Sequence, residues 1–286
     1  MFSGTESLAK CKKLKYINVS KENKYYTNDD NGILYNKNMT TIICMPMGIT
    51  LEHFKIPNTV TVIGDYAFLF SQVKGFTISE NVEIIGKYSF AKTIFFNITI
   101  PNSVTIIDDY AFCEGQLNIV DIGNGTKTIR NFSFYDCYIM SLVLPNSLLK
   151  IGSFAFYCNR IKSLIIGDNL YEIGEDAFRY NSIACIYFNG EKEPENLNVE
   201  NSGLTSNTRY IMVTEKYQNT TWGPLYATVD TLIECKESNK TFPIALAVCI
   251  PVAVVVIVVI IVVVVIMKKK RTKVDNPDLN DSHLFE

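Results

Sequence analysis

The chain has 286 residues, of which 48% are hydrophobic and 20% are charged, and its formal net charge is -2. This balance excludes an intrinsically disordered chain, because disorder goes with low hydrophobicity and high net charge. It also gives no global attraction to nucleic acid, so no nucleic-acid partner is expected. The eight cysteines are too sparse for a small scaffold stapled by disulfides.

An internal repeat occupies residues 56–189. Apolar anchor residues recur in it every 22 residues, at Ile56, Ile78, Ile100, Ile122, Leu144, Ile166 and Phe188. An isoleucine lies seven residues after each of the first six anchors, from Ile63 to Ile173, and a phenylalanine lies twelve residues after, from Phe68 to Phe178. A fixed period of this length is typical of a solenoid, in which stacked repeats bury such side chains as continuous ladders.

Each repeat also carries one predicted β-strand. An apolar-x-x-apolar-x-apolar segment ends at each anchor, as in Val73, Phe76 and Ile78, and its last two apolar members alternate with one outward residue. Proline or glycine follows most anchors, as at Pro57 and Gly123, and ends the strand. The pattern predicts a parallel sheet with one strand per 22-residue repeat.

Three segments carry a shared signature: IPNTVTVIGDYAF at 56–68, IPNSVTIIDDYAF at 100–112 and LPNSLLKIGSFAF at 144–156. This I-P-x-x-V-x-x-I-G-x-x-A-F pattern resembles the BspA-like leucine-rich-repeat family, which comprises surface proteins of anaerobic bacteria and protist parasites. The resemblance implies a leucine-rich-repeat solenoid, repeat α/β to mostly β, over residues 56–189. For residues 1–55 it implies a partial N-terminal repeat and a hairpin insert at 32–46.

The family resemblance also bears on the asparagines and on the C-terminal end of the repeats. Asparagine falls two residues after several anchors, whereas the familiar leucine-rich consensus places it three residues after, so a standard asparagine ladder is in doubt.

Residues 190–240 lose the period and predict an irregular C-terminal cap and juxtamembrane stalk. The segment 210–225 resembles the irregular end segment of the family; a cap on the last repeat is favoured over a separate binding site.

Residues 241–267 contain no charged side chain and predict a transmembrane helix. The 26 apolar-rich residues 242–267 would extend ~39 Å as a helix, enough for a ~30 Å hydrocarbon core. Four basic residues follow at once, at 268–271, so the positive-inside rule places the C-terminus in the cytoplasm. The sequence thus predicts a single-pass plasma-membrane protein with its N-terminus outside, the bilayer as a partner, and a cytoplasmic tail at 268–286.

The N-terminal sequence MFSGTESLAKCKK has no apolar h-region and is not a signal peptide. Three explanations stay open: an incomplete start, a span that acts as its own export signal, or a tail-anchored protein whose large part is cytosolic. The lysine cluster after the span argues against the last of these.

The sequence contains no arrangement that would support catalysis. It has no Gly-rich phosphate loop, Cys-x-x-Cys pair or Ser/His/Asp set, so neither enzymatic activity nor a cofactor or metal is expected. Cys113, Cys137 and Cys158 fall near the same point of successive repeats. They are interpreted either as a disulfide or metal ladder or, preferably, as small buried side chains at a turn.

A candidate ligand-binding surface comes from the residue just before each anchor, which points out of the core. Val143, Ile165 and Tyr187 occupy this position in the C-terminal half and predict an exposed apolar stripe. The alternatives are that β-branched residues merely suit a strand, or that the C-terminal segment folds over them. Family resemblance implies that such a surface mediates adhesion to a host-cell ligand, an extracellular matrix protein or another cell.

Two further sets of residues suggest modification and sorting. Glycosylation sequons precede the span at Asn18, Asn38, Asn97, Asn124, Asn131, Asn219 and Asn239. In the tail, Asn276, Pro277 and Leu279 are similar to an Asn-Pro-x-Tyr internalisation turn, with leucine in place of the aromatic residue. A tail-binding adaptor, and hence an endocytic or signalling receptor, is therefore the alternative function.

Overall fold

The computed structural model describes residues 5–191, 196–197, 201–204, 208, 210–213, 221–222 and 225–229. The chain divides into two compact units, 1–235 and 236–286, and every described residue belongs to the first. The predicted span and tail lie outside the described residues. Within the described part, no helix combines the length and the apolar character needed to cross a membrane.

The described residues form a β-solenoid of about seven turns, in which each repeat makes one coil. Each coil contributes two short strands. One ends at or next to the anchor, and these strands form what we call the anchor sheet; the other ends at the isoleucine seven residues later, and these form the isoleucine sheet. The prediction of one strand per repeat is therefore wrong. The second strand escaped detection because two residues are too short to show an alternation of apolar and polar side chains.

The elements before the regular coils are α1 (Thr5–Ala9), β1 (Tyr26–Asn28), β2 (Leu34–Asn36) and β3 (Thr41–Cys44). The isoleucine sheet contains β5 (Val62–Ile63), β7 (Ile84–Ile85), β9 (Ile106–Ile107), β11 (Thr128–Ile129), β13 (Lys150–Ile151), β15 (Glu172–Ile173) and β17 (Asn196–Leu197). The anchor sheet contains β4 (Phe54–Lys55), β6 (Phe76–Thr77), β8 (Asn97–Ile100), β10 (Ile119–Ile122), β12 (Ser141–Val143), β14 (Ser163–Ile166), β16 (Cys185–Phe188), β18 (Tyr210–Val213) and β20 (Leu225–Val229), with β19 (Thr221–Trp222) antiparallel to β20.

The isoleucine sheet is continuous, with strand order β1-β2-β3-β5-β7-β9-β11-β13-β15-β17. Its parallel register follows the sequence period, since Ile63 pairs with Ile85, which in turn pairs with Ile107. Within segment 32–46, β2 and β3 form an antiparallel hairpin, and β3 pairs in parallel with β5. The hairpin thus extends the sheet beyond the first regular coil.

The predicted phenylalanine ladder forms the centre of the core. Its members are Phe68, Phe90, Phe112, Phe134, Phe156 and Phe178, and none is more than 1% exposed. Their rings stack from coil to coil with centroids 4.9–5.3 Å apart. Burial of these rings confirms the core prediction and fixes the register of the coils, since a shift by one residue would expose a ring.

The segment that carries each phenylalanine is a turn rather than a helix. In every coil two residues that are not glycine adopt left-handed backbone angles, from Tyr66 (φ 61°) in the first to Tyr180 (φ 58°) in the last. Left-handed geometry costs ~1–2 kcal/mol for such residues. Here it lets alternate amides point along the solenoid axis; the Tyr66 N–H donates to the Lys87 carbonyl at 2.8 Å. Hydrogen bonds between coils therefore offset the strain in this segment.

A buried polar ladder lies seven residues before the anchors. Asn159 donates through Nδ2 to the Phe134 carbonyl (2.8 Å) and accepts the Ile139 N–H (3.1 Å). Asn181 repeats this arrangement one coil later, and the Cys137 thiol donates to a carbonyl of the preceding coil at 3.2 Å. The asparagines after the anchors are exposed. The asparagines after the anchors therefore lie outside the buried ladder, whose members Asn159, Asn181 and Cys137 the sequence pattern did not indicate.

The solenoid continues where the sequence loses its period. Strand β18 pairs in parallel with β16, and β20 pairs with β18. On the other side of the coil, β17 pairs with β15. Parts of the segment predicted as an irregular cap are thus strands of the two sheets, because ladder hydrogen bonds join backbone groups and require no periodic side chains.

Candidate functional site

The predicted apolar stripe lies on one ladder of the anchor sheet. Val143 is directly opposite Ile165, and Ile165 is opposite Tyr187. Val143 is 44% exposed, whereas Ile165 and Tyr187 are half-buried. Met212 follows opposite Tyr187 and is buried. The structure brings the three residues together, but only the Val143 end is open to solvent, so their binding role stays a prediction.

Apolar exposure is greater on the N-terminal side of Val143. Phe96 is 65% exposed, Ile119 is 62% exposed and Met140 is 46% exposed. The Ile119 N–H donates to the Phe96 carbonyl at 3.0 Å, so these two residues are neighbours on successive coils. Met140 immediately precedes β12 on the next coil. We call Phe96, Ile119, Met140 and Val143 the apolar patch.

The apolar patch flanks an interruption of the anchor sheet. Strands β8 and β10 pair only with each other, and the next paired group begins at β12, so in the described part no ladder joins β10 to β12. Ile119 lies on one side of this interruption and Val143 on the other. Exposed apolar side chains at a discontinuity of a sheet are available to a partner without displacing any part of the described chain.

The N-terminal half of the same face is polar. Lys55, Thr77, Thr99 and Asp121 occupy the positions that correspond to Val143, and all four are exposed. The His53 ring nitrogen Nε2 and the Thr77 hydroxyl form a hydrogen bond of 2.7 Å. The position that corresponds to Val143 is therefore polar in the preceding coils, whereas the exposed apolar residues Phe96 and Ile119 occupy neighbouring positions.

The sequons occupy surface positions where they are described. The side chains of Asn18, Asn38, Asn97, Asn124 and Asn131 are exposed, whereas Asn219 and Asn239 lie outside the described residues. Asn97 is directly opposite Ile119 in the pair β8–β10. A glycan on Asn97 would thus cover the Phe96 and Ile119 end of the apolar patch and leave Met140 and Val143 accessible.

A second aromatic ladder, which the sequence analysis missed, lines the outside of the turn segments. Its members are Tyr66, Tyr88, Tyr110, Phe132 and Phe154, whose rings stack with centroids 4.5–5.2 Å apart. The first three pack with Leu8 and Ala9 of the N-terminal helix α1 in a second hydrophobic cluster. The signal was present in the sequence, because an aromatic residue lies ten residues after each of five anchors.

Of the three repeat cysteines interpreted as small buried side chains, Cys113 and Cys137 are buried, whereas Cys158 is exposed. Burial raises the pKa of Cys44, Cys113 and Cys137 to about 12 in each case. Cys11 and Cys158 are exposed. Like the three buried cysteines they are free thiols, whereas Cys185 is disulfide-bonded. No group of three or more His, Cys, Asp or Glu side chains in the described part is arranged to hold a metal ion.

The predicted tail motif cannot be placed on this surface. Asn276, Pro277 and Leu279 lie outside the described residues, as do the basic residues that follow the span. What the described residues present is a solvent-facing sheet that carries both exposed polar residues and the apolar patch. Such a scaffold binds by shape and surface chemistry and requires no catalytic group.

Stacked 22-residue coils around ladders of buried isoleucine and phenylalanine define a leucine-rich-repeat solenoid. The family model described as a BspA type leucine rich repeat region (6 copies) matches residues 45–117 and 83–200. The matches together span more than half of the chain, which therefore belongs to the BspA type leucine-rich-repeat family. Proteins with such repeats are generally non-enzymatic binding scaffolds, and no catalytic family is indicated.

Several solved structures are similar to this chain. The pneumococcal vaccine antigen PcpA is 22% identical, with a TM-score of 0.45 over 71% of this chain and 46% of that protein. A leucine-rich repeat protein from Eubacterium ventriosum is 24% identical, with a TM-score of 0.37 over 52% of this chain and 54% of its own. One from Bacteroides ovatus is 20% identical, with a TM-score of 0.36 over 70% of each chain. The match thus spans about half the length of the first two, and among curated proteins the chain has no significant match.

Proposed function

We propose that this protein is a single-pass cell-surface binding protein whose solenoid engages an extracellular protein partner, on a host cell, in the matrix or on another cell, through the apolar patch. Membership of a leucine-rich-repeat family supports a binding role. The apolar segment 241–267 and the basic residues after it support an anchor in the plasma membrane with the repeats outside.

The observation that carries the proposal is the exposure of the apolar patch. Four large apolar side chains, on three successive coils, are each more than two-fifths exposed. Exposed apolar side chains grouped on one surface commonly mark interaction sites. Ile119 and Val143 lie on strands, and Phe96 and Met140 immediately precede strands, of a stacked scaffold, which limits the conformational entropy lost when a partner binds.

Serine substitutions in the patch test the proposal. Cells that display the full chain carry Ile119→Ser, Met140→Ser and Val143→Ser together, and their adhesion to host cells and to immobilised matrix proteins is measured. Loss of three buried contacts should weaken adhesion at least tenfold, since central apolar contacts of an interface contribute ~1 kcal/mol or more each.

A matched control comes from the isoleucine sheet. Leu149 and Tyr171 are also exposed apolar residues, 38% and 44% respectively, but they lie on the opposite sheet. Leu149→Ser with Tyr171→Ser should leave adhesion unchanged. If the patch variant adheres as well as the parent, or if the control variant loses as much, the anchor sheet is not the binding surface.

A further inference from the structure

The corner between the turn segments and the anchor sheet concentrates tyrosine and arginine in the last three regular coils. Residues 135–138, 157–160 and 179–180 occupy this corner on successive coils. We call Tyr135, Tyr138, Tyr157, Tyr180, Arg160 and Arg179 the tyrosine–arginine corner. Tyr138 is 41% exposed and Tyr180 is 60% exposed. Tyrosine and arginine are the residue types that most often anchor protein interfaces.

The corner is confined to the C-terminal coils. At the positions of Tyr135 and Tyr157, the three preceding coils carry Leu69, Ala91 and Cys113, which are buried in the cluster that packs with α1. The helix α1 thus closes this column in the N-terminal half. In the C-terminal half the column continues with the half-buried Tyr135, which borders that cluster, then the half-buried Tyr157 and the exposed Arg179, and no helix is described there.

The rings of the corner are already stacked. Tyr135 and Tyr157 lie nearly parallel with centroids 5.2 Å apart, and Tyr180 meets Tyr157 edge-on at 5.0 Å. One face of Tyr138 is covered by the Arg160 guanidinium, whose central carbon is 4.4 Å from the ring centroid. These contacts cover the facing sides of Tyr135 and Tyr157 and one face of Tyr138.

What the corner presents is attractive to anions. Ring edges carry partial positive charge, and phenolic hydroxyls donate hydrogen bonds. Desolvation is the main cause that raises the pKa of Tyr135 and Tyr157, so both hydroxyls stay protonated; the Tyr157 hydroxyl already has Tyr180 as a hydrogen-bond partner. The planar guanidinium of Arg160, which lies over the Tyr138 ring, carries N–H groups whose fork matches a carboxylate.

The two arginines differ in their partners. Arg179 donates to the Asp176 carboxylate at 3.1 Å, which occupies part of its hydrogen-bonding capacity. Among the ion pairs of the described residues, none involves Arg160. Asp136 also lies at the corner, where its carboxylate helps to raise the pKa of the Cys158 thiol, after the larger effect of desolvation. Arg160 is therefore the cation available to bind an anionic ligand, and the Asp136 carboxylate is the group that repels such a ligand.

We propose that the tyrosine–arginine corner binds an acidic, extended segment of a partner protein. One carboxylate of that segment pairs with Arg160, and tyrosine hydroxyls donate hydrogen bonds to neighbouring groups of the same segment. Recognition of acidic motifs by arginine is a recurrent mode of peptide binding. A saccharide would need open ring faces on which a sugar can stack, and the stacking within the corner covers several of them. The site shares no residue with the apolar patch, although Tyr138 lies two residues before Met140, and it adds a second ligand to the proposed function.

Binding of a fluorescent polyglutamate peptide to the full chain in mild detergent tests the proposal, with polyglutamine as the uncharged probe. Polyglutamate should bind in a salt-sensitive manner and polyglutamine should not. Arg160→Gln should weaken binding about tenfold, the effect of roughly one charge-assisted hydrogen bond. Arg160→Lys should retain part of the affinity, because it keeps the charge and loses the planar fork. Asp136→Asn should tighten binding, because it removes the opposing carboxylate.

Arg130→Gln is the matched control, since Arg130 is an exposed arginine paired with Asp108 elsewhere on the solenoid. It should leave the affinity unchanged, as should Ile119→Ser in the apolar patch. Circular dichroism checks that each variant is folded. If Arg160→Gln binds polyglutamate as tightly as the parent, the proposal is overturned, and the peptide binds another basic segment, such as 268–271. Hyaluronan, a carboxylated polysaccharide, is tested as a competitor of the labelled peptide. If it competes more strongly than unlabelled polyglutamate, the ligand is a saccharide and the proposal is overturned.

Discussion

Replacement of a central ring of the phenylalanine ladder should destabilise the solenoid severely. Phe134 is fully buried, and its ring lies between Phe112 at 4.9 Å and Phe156 at 5.1 Å, parallel to both within 4°. Buried Phe→Ala changes cost ~3–5 kcal/mol, and each stacked aromatic pair contributes ~0.5–1.5 kcal/mol. Because Phe134→Ala breaks two such pairs, we expect a loss of about 4–5 kcal/mol in the free energy of unfolding.

Two variants calibrate this value. Phe178 is equally buried but stacks on one ring of the described ladder, Phe156, at 5.3 Å, so Phe178→Ala should cost about 3 kcal/mol. Tyr25 is 73% exposed, and Tyr25→Ala should change stability by less than about 0.5 kcal/mol. Urea unfolding of the full chain in mild detergent, followed by circular dichroism, gives the midpoint and slope of each transition. A loss below about 1 kcal/mol for Phe134→Ala would refute the assignment of the core.

Further predictions concern backbone strain, thiol reactivity, topology and the tail. Lys92 is left-handed (φ 58°), so Lys92→Val should destabilise by ~1–2 kcal/mol in urea unfolding, whereas Lys92→Gln, which loses the same charge, should have little effect. At pH 8 a thiol reagent should label Cys11, as mass spectrometry of the peptides would show, but not Cys44, whose pKa burial raises to about 12; labelling of Cys44 in the folded protein would contradict its placement. Protease added to intact cells should remove the repeats and spare a tail epitope; protected repeats would contradict the proposed surface location. Deletion of residues 274–286 should preserve adhesion, and its loss would favour the receptor alternative.

The sequence by itself determined the period, the core and the register of the coils. An isoleucine and a phenylalanine at fixed distances from each anchor, such as Ile107 and Phe112 after Ile100, can be buried only by stacking one repeat on the next. The pattern predicted these ladders because residues 22 apart become direct neighbours, so the one-dimensional repeat translates into contacts. The outward direction of Val143, just before its anchor, followed from strand alternation in the same way.

Tertiary structure decided what each coil presents to solvent. The second strand and the left-handed residues depend on hydrogen bonds between coils, such as that from the Tyr66 N–H to Lys87, which leave no pattern along one repeat. Exposure at equivalent positions differs, with Val143 open and Ile165 half-buried, because neighbouring coils and segments cover one and not the other. The tyrosine–arginine corner also exists only in the folded chain. Stacking places Arg160 on Tyr138, 22 residues earlier in the sequence, and neither residue alone carries a signal of that pairing.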